Sequence, residues 1–343
     1  MKFNDEKKKS IILYLLEKIE QKEVNPSQIV SEAFNINRNT VHTYINQLVS
    51  ENVIKRVKRG IYELIETTYE YSFSRSKEEI KNETHIYNLT LKQHIEEFSS
   101  NIQEIWEYAF SEMVNNVIDH SEAKNMIVII KKNFLNTRVF IADDGIGIFE
   151  KIKNYFELPT LDDAISELFK GKLTTDKANH SGEGIFFTSK LMDNFAIFSD
   201  DKIFTTDKFC SSNIISFPNE KDSAATVVMM KLSNYSHKKS KEVFDKYSDV
   251  DGGFTKTIIP LKNVFDASPV SRSQARRILS SLDKFKEIVL DFDMIEWIGQ
   301  GFAHQIFVVF KNQQPQIQII PVNMNEDVTK MYYHVINTEA GNT

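Results

Sequence analysis

Apolar positions in the first sixty-six residues recur at helical spacing. Ile11, Ile12, Leu15, Leu16 and Ile19 share one side of a segment over 8–22, which predicts an amphipathic helix. Asn25-Pro26 reads as an N-cap followed by proline at the first helical position, and a short helix continues through Val30 to Ala33. After a turn over Phe34 to Asn37, Val41, Tyr44, Ile45, Leu48 and Val49 fall at i, i+3, i+4, i+7 and i+8 of a third helix. The period then changes. VIKRVKRGIYELI (53–65) alternates around Gly60, which predicts a two-stranded hairpin. Residues 67–83 are polar and charged, with a candidate strand only at Tyr69–Phe73, and read as a connector.

From His85 the pattern is helical again. In a helix over Asn101–His120, Trp106, Phe110, Met113 and Val117 form an apolar stripe. MIVII (126–130) and RVFIA (138–142) read as an antiparallel hairpin, followed by helices at Leu161–Phe169 and Phe186–Met192. Strands are expected at Phe195–Phe198, Lys202–Thr205, Ile214–Phe217 and Thr226–Leu232. The polar stretch 234–250 is a boundary. Beyond it a strand at Phe254–Leu261, a helix at Ser271–Leu282, a strand at Glu287–Phe292, a helix at Gly301–Phe310, a strand at Gln316–Pro321 and a helix at Glu326–Ile336 alternate as in a small α/β layer. The expected division is 1–66, a connector 67–83, 84–233, a linker 234–250, and 251–343.

Composition narrows the class. Hydrophobic residues make up 41% and charged residues 26% of 343, ordinary for a globular protein. The longest aliphatic run, Met126 to Ile130, is far below the ~18–20 residues of a membrane helix, and no leader-like apolar stretch follows the basic first residues. With Cys210 as the one cysteine, an internal disulfide and a cysteine metal cluster are excluded, which fits the cytoplasm. The net charge of −6 is uneven. Residues 1–66 hold 11 Lys/Arg against 9 Asp/Glu, a net of +2, and the remainder a net of −8.

Three helices and a hairpin in about sixty residues resemble a winged helix-turn-helix. The third helix would offer Arg38, Asn39, Thr40, His42, Thr43, Asn46 and Gln47 to base edges and phosphates, and the hairpin Lys55, Arg56, Lys58 and Arg59 to the phosphate backbone. The resemblance implies DNA binding, and a homodimer on two half-sites. The same fold also serves protein contacts.

The central segment carries the candidate chemistry. Glu112, Asn116 and Asp119/His120 form a polar row beside the apolar stripe, a pattern shared by cleft-lining and solvated helix faces. Then come Asp143-x-Gly145-x-Gly147 after a strand, Ser181-Gly182-Glu183-Gly184-Ile185 opening a helix, and Thr226 in a strand. Taken in order over about 85–233, these motifs resemble the GHKL ATPases, the superfamily of gyrase, a heat-shock chaperone, MutL, histidine kinases and anti-sigma serine kinases. The resemblance implies a Bergerat α/β sandwich, with helices on one face of a mixed sheet, that binds ATP and Mg²⁺. Glu112 would be the general base toward the attacking water and Asn116 the Mg²⁺ ligand, backed by Asp119 and His120. Asp143 would accept a hydrogen bond from the adenine amino group, with Gly145 and Gly147 allowing the turn and Thr226 supporting it. Ser181, Gly182, Glu183, Gly184 and Ile185 would present a helix N-terminus to the phosphates. Lys170, Lys172, Thr174 and Thr175 would join them from a lid over 149–179, or form a solvated basic loop. Two departures stand out. Glu183 puts an acid in the second glycine motif and must point away from phosphate. The long transducer of the gyrase, chaperone and MutL branches is missing, which argues against an ATP-driven clamp.

Ile288–Asp293, Trp297 and Ile298-Gly299-Gln300-Gly301 resemble the strand–turn–helix of STAS domains, the anti-sigma antagonist fold. Gln300 stands where those antagonists carry a phosphorylatable serine and has no hydroxyl, while Ser271 and Ser273 read as helix caps. The expected architecture is multidomain α+β: winged helix, GHKL sandwich, then a small STAS-like domain that offers a surface for a protein partner. The leading expectation is an ATP-binding switch with a DNA-binding head and slow hydrolysis. The alternative is an anti-sigma-type serine/threonine kinase acting on a separate protein. A histidine kinase fits less well, since His94 is followed by Ile95-Glu96-Glu97 with too little room for a dimerisation hairpin.

Overall fold

A computed structural model describes residues 4–172, 182–206, 224–249, 253–265 and 267–340. The chain divides into two compact units. One comprises 1–71, 128–139 and 231–236; the other comprises 72–127, 140–230 and 237–343.

The first unit begins with α1 (Asp5–Glu20), α2 (Pro26–Phe34) and α3 (Arg38–Ser50). Asn4 and Asn37 cap α1 and α3 with side-chain oxygens, while Asn25 precedes Pro26 in the left-handed region and makes no side-chain cap. β1 (Ile54–Lys58) and β2 (Ile61–Leu64) pair antiparallel with an irregularity between Arg56 and Lys58. Gly60 turns between them at φ +75°, where a Cβ would lie 2.8 Å from Asn25 Oδ1. Ile11, Leu15, Leu16, Val30, Val41, Ile45 and Ile54 form the core, with Leu135 among them. Asn136 Nδ2 donates to Glu20 Oε1 (2.8 Å), and Lys231 pairs with the same carboxylate (3.2 Å).

β3 spans Thr67–Ser74, longer than the candidate strand in the expected connector. Tyr69, Tyr71 and Phe73 are the more buried positions, alternating with exposed Glu70 and Ser72, and β3 is the edge strand of a six-stranded sheet. The helices α4 (Glu83–Leu89), α5 (Lys92–Ile95) and α6 (Ser100–His120) follow, then β4 (Asn125–Lys132) and β5 (Asn136–Asp143). A three-residue connection makes β4 and β5 antiparallel, closed by Asn133 N–H to Asn136 O (3.0 Å) and Asp144 N–H to Asn125 O (3.3 Å). Next come α7 (Ile148–Tyr155), α8 (Leu161–Lys170), α9 (Gly184–Leu191), β6 (Asn194–Ser199), β7 (Lys202–Thr205) and β8 (Thr226–Ser233). The sheet order is β3-β4-β5-β8-β6-β7, so β8 inserts between β5 and β6. The strand expected at Ile214–Phe217 lies outside the described residues.

After α10 (Ser240–Tyr247) the chain enters β9 (Lys256–Pro260), α11 (Leu261–Val264), α12 (Arg272–Leu279) and β10 (Glu287–Asp291). It continues through α13 (Gln300–His304), a π-helical stretch over Gln305–Phe310, α14 (Lys311–Gln313), β11 (Gln318–Val322) and α15 (Glu326–Ala340). β10 pairs in parallel with both β9 and β11, as strands joined by helical crossovers must. β9 is shorter than expected because the chain turns into α11 at Pro260, and α12 is shorter because Ser280 leaves the helix at ψ 138°. Ser271 caps α12 in a reciprocal capping box with Gln274. Phe186 and Phe187 of α9 share one hydrophobic core with Tyr247, Phe254, Ile278, Leu290 and Phe302. No helix among the described residues is long and apolar enough to cross a membrane.

Candidate functional site

A cavity of about 260 Å³ opens between α6, the end of β5, the start of β8, α7, α8 and the start of α9. Its floor is set by α6. Ile102, Ile105, Trp106, Ala109, Phe110 and Val114 bury one stripe of that helix. The adjoining stripe carries Glu112, Asn116 and His120 at i, i+4 and i+8, and all three line the cavity. Asp119 lies on the exposed side and does not.

Glu112 faces the start of α9. A Cβ on Gly184 would come within 2.0 Å of Glu112 Oε2, so that carboxylate sits directly on the turn opening the helix. Gly182, at φ +73°, Gly184 and Ile185 line the cavity, whereas Glu183 does not. Burial, with Glu112 and then Glu183 beside it, pushes the Tyr108 hydroxyl well above its ordinary range, so it stays protonated one turn before Glu112.

Asp143 ends β5 and is buried. Its Oδ1 accepts from Gly145 N–H (2.9 Å), and its carbonyl accepts from Ala225 N–H (2.7 Å). Burial pushes its carboxyl up to about 6; the Gly145 N–H pulls it back, and Asp144 adds to the rise. Ionised, that carboxyl offers acceptors only; protonated, it also carries one O–H donor and is the weaker acceptor. The folded value lies above the reference of 3.8. The stability linked to this proton is therefore complete below about pH 4 and is lost as the pH rises through about 6, ~3 kcal/mol in all. Asp143→Asn removes that slope. Urea unfolding from pH 4 to 7.5 is expected to show the variant gaining on the wild type as the pH rises.

The turn after Asp143 is braced from β8 and β6. Ile148 N–H donates to Thr226 Oγ1 and Ser199 Oγ, both at 3.2 Å, and Ser199 Oγ donates to Ala225 O (2.8 Å). Thr226 is buried and lines the cavity, so its hydroxyl supports the turn that presents Asp143. Gly147 adopts φ +78° with the Asp200 carboxylate against it, and Asp200 Oδ2 accepts from Glu150 N–H (3.3 Å) at the start of α7. Ser199 and Asp200 were not foreseen; the only local signal was an acidic turn between two strands. Gly145 does not line the cavity, but a Cβ there would stand 2.1 Å from the Ser121 carbonyl, which is main chain and cannot yield cheaply. Gly145→Ala is expected to destabilise the protein by ~1–3 kcal/mol, measured by denaturant unfolding.

Two lysines foreseen as phosphate contacts are engaged elsewhere. Lys170 is almost fully buried, with its ammonium on Glu167 and on the carbonyls of Arg277 and Ser280 (both 2.9 Å). Lys172 donates to Lys284 O (3.3 Å) and lies over the Phe254 and Phe285 rings. Thr174, Thr175 and Ser181 lie outside the described residues.

In the first unit, Arg38, Asn39, Thr43 and Asn46 are exposed on α3, whereas Thr40, His42 and Gln47 are half-buried. Arg38 Nε donates to Ser27 Oγ (3.1 Å). Lys55, Arg56, Lys58 and Arg59 are exposed on the hairpin; Lys55 pairs with Glu63 (3.1 Å) and Arg56 lies over the Tyr62 ring.

The donor chemistry of the cavity suits magnesium. No cluster of three or more His, Cys, Asp or Glu is found among the described residues, so no all-protein cage is built there. Asn116 offers one hard amide oxygen in the cavity wall, which matches the habit of Mg²⁺ of taking one or two protein oxygens and completing its shell with water and phosphate.

Among curated proteins, none matches the chain. Residues 274–329 match the family described as a STAS-like domain of unknown function (DUF4325), a stretch running from α12 through β10 and β11 into α15. The chain therefore carries a STAS-like domain at its C-terminal end.

Proposed function

We propose that the cavity binds ATP with Mg²⁺, that Glu112 directs slow hydrolysis, and that the nucleotide state controls a DNA-binding head and the STAS-like domain. The observation carrying this reading is that one cavity collects Glu112, Asn116, Asp143, Thr226 and the Gly182–Gly184 helix start from four separate stretches of chain. Asp143, once ionised, accepts from the adenine amino group, while Met113, Ile148, Ile152 and Ile197 wall the base. Phosphates meet the N–H groups at the start of α9. Mg²⁺, held by Asn116, would neutralise phosphate charge when bound. Glu112, beside that helix start, orients a water and takes its proton as it attacks the terminal phosphorus; the leaving group departs as ADP.

The expected winged helix of the first unit supports DNA recognition through exposed Arg38, Asn39, Thr43 and Asn46, with Lys55, Arg56, Lys58 and Arg59 on the phosphate backbone. Coupling toward the STAS-like domain is supported by α8, which supplies Leu168 to the cavity and Lys170 to the carbonyls of α12. The STAS-like match favours a second reading, a serine/threonine kinase acting on a separate partner. Gln300 begins α13 and carries no acceptor hydroxyl, so self-phosphorylation at that turn is excluded by chemistry.

Incubation of the full chain with Mg²⁺ and γ-labelled ATP separates these readings. Label released as phosphate supports the ATPase switch, and label retained on a protein serine or threonine supports the kinase. Nucleotide binding without transfer removes both enzymatic readings and leaves a ligand-gated module.

A further inference from the structure

Helix α7 brings a group into the cavity that the motifs do not account for. Lys151 lines the cavity and is the only lysine or arginine among the described residues that do. Its ammonium donates to the main-chain carbonyl of His120, the last residue of α6. An ammonium has three N–H donors, so this bond leaves two for another acceptor. The base of the side chain is well anchored: Lys151 N–H closes on Gly147 O (3.1 Å), and the preceding turn is tied to Thr226 and Ser199 through Ile148 N–H. Two carboxylates, Glu112 and Asp143, share the cavity, and Lys170 and Lys172, the other candidate cations of this region, are engaged elsewhere.

We propose that Lys151 is a phosphate-binding residue of this cavity, holding the phosphates nearest the nucleoside while the distal phosphate lies beside Glu112. The assignment rests on the nucleotide reading above and adds a residue to it. Its position along α6 carries the argument. Glu112, Asn116 and His120 mark one face over eight residues, a rise of about 12 Å. The ammonium at the His120 carbonyl therefore stands at the opposite end of this row from the carboxylate at Gly184. A polyphosphate running along the row meets Lys151 at one end and the start of α9 at the other. A single neutral carbonyl at a helix C-terminus is a weaker partner for an ammonium than a charged phosphate oxygen, so the side chain is placed to exchange one for the other.

The plainer role, a lysine that only caps α6, gives a different outcome in the same experiment. The full chain, Lys151→Met and Lys151→Arg are titrated with ATP, ADP and adenosine in the presence of Mg²⁺. Lys151→Met is expected to weaken ATP and ADP by about tenfold or more while adenosine stays within about twofold, and Lys151→Arg is expected to retain most ATP affinity. Equal ATP affinity in wild type and Lys151→Met overturns the assignment and leaves the nucleotide reading standing. A parallel loss of ATP and adenosine also overturns it, because that marks a lost helix cap. If the wild-type chain binds neither ATP nor adenosine, the nucleotide reading fails and the assignment falls with it.

Discussion

Glu112→Ala is expected to bind ATP about as tightly as the wild type and to turn it over ~10²–10⁴-fold more slowly, the usual contribution of a positioned general base. The carboxylate stands at the start of α9, where a Cβ on Gly184 would touch its Oε2. Under the proposed function a carboxylate there would face the terminal phosphate, so removing it is not expected to cost ground-state affinity. Only the step that needs a proton acceptor on water suffers. Glu112→Gln keeps the shape and loses the base, so it is expected to behave like the alanine variant. Single-turnover kinetics beside equilibrium binding checks both halves. Unchanged turnover removes Glu112 from its role, whereas loss of binding with loss of turnover makes it a structural residue of the cavity.

Lys170→Met is expected to cost ~3–5 kcal/mol of stability. All three ammonium donors of Lys170 are used, on the Glu167 carboxylate and on two carbonyls at the end of α12, and only about 1% of the residue is exposed. Those carbonyls are orphans of a helix C-terminus, which a cation satisfies well. Burial pulls the ammonium below its ordinary value, with Glu167 beside it pulling the other way. Truncation leaves the buried Glu167 carboxyl without its cation and strands both carbonyls. Thr257 Oγ1 donates to the Lys170 carbonyl (2.8 Å) and Arg277 pairs with Asp163 (3.3 Å), so α8 keeps further ties to β9 and α12. Denaturant unfolding measures the loss, and Lys170→Met combined with Glu167→Leu is expected to recover part of it. A change below about 1 kcal/mol in the single variant would show that the network is relieved by water.

Much of the candidate site was readable from local pattern. Glu112, Asn116 and His120 announce themselves by a spacing of four beside an apolar stripe, and that spacing is a property of one helix. Asp143 and its glycines are local too, because a strand end and a tight turn are written in adjacent residues. Of the partners that brace them, Ser199 and Asp200 are not legible in the sequence, and Thr226 is reached only through the family resemblance. Thr226 is seventy-eight residues from Ile148, and its hydroxyl reaches that N–H because β8 inserts beside β5, a pairing order that no periodicity encodes. Lys170 reads as a basic residue of a loop; two of its three partners, the carbonyls of Arg277 and Ser280, lie more than a hundred residues away at the end of α12. β3 was foreseen only in part, since its polar alternate positions hide a strand that needs burial on one face only. Lys151 is not legible in the sequence, where a lysine in the first turn of a short helix is unremarkable; its place in a cavity wall comes from the turn at Gly147.

The central claim is that this cavity is an adenine-nucleotide site, and calorimetric titration of the full chain with Mg²⁺-ATP and Mg²⁺-GTP tests it most directly, with Asp143→Asn as the paired variant. ATP is expected to bind the wild type and to weaken as the pH falls below about 6, where the buried carboxyl takes up its proton. GTP, which presents a carbonyl where adenine presents an amino group, is expected to bind at least about tenfold more weakly, and Asp143→Asn to lose most of the preference. No heat with either nucleotide, or equal binding of both that Asp143→Asn leaves untouched, would contradict the account.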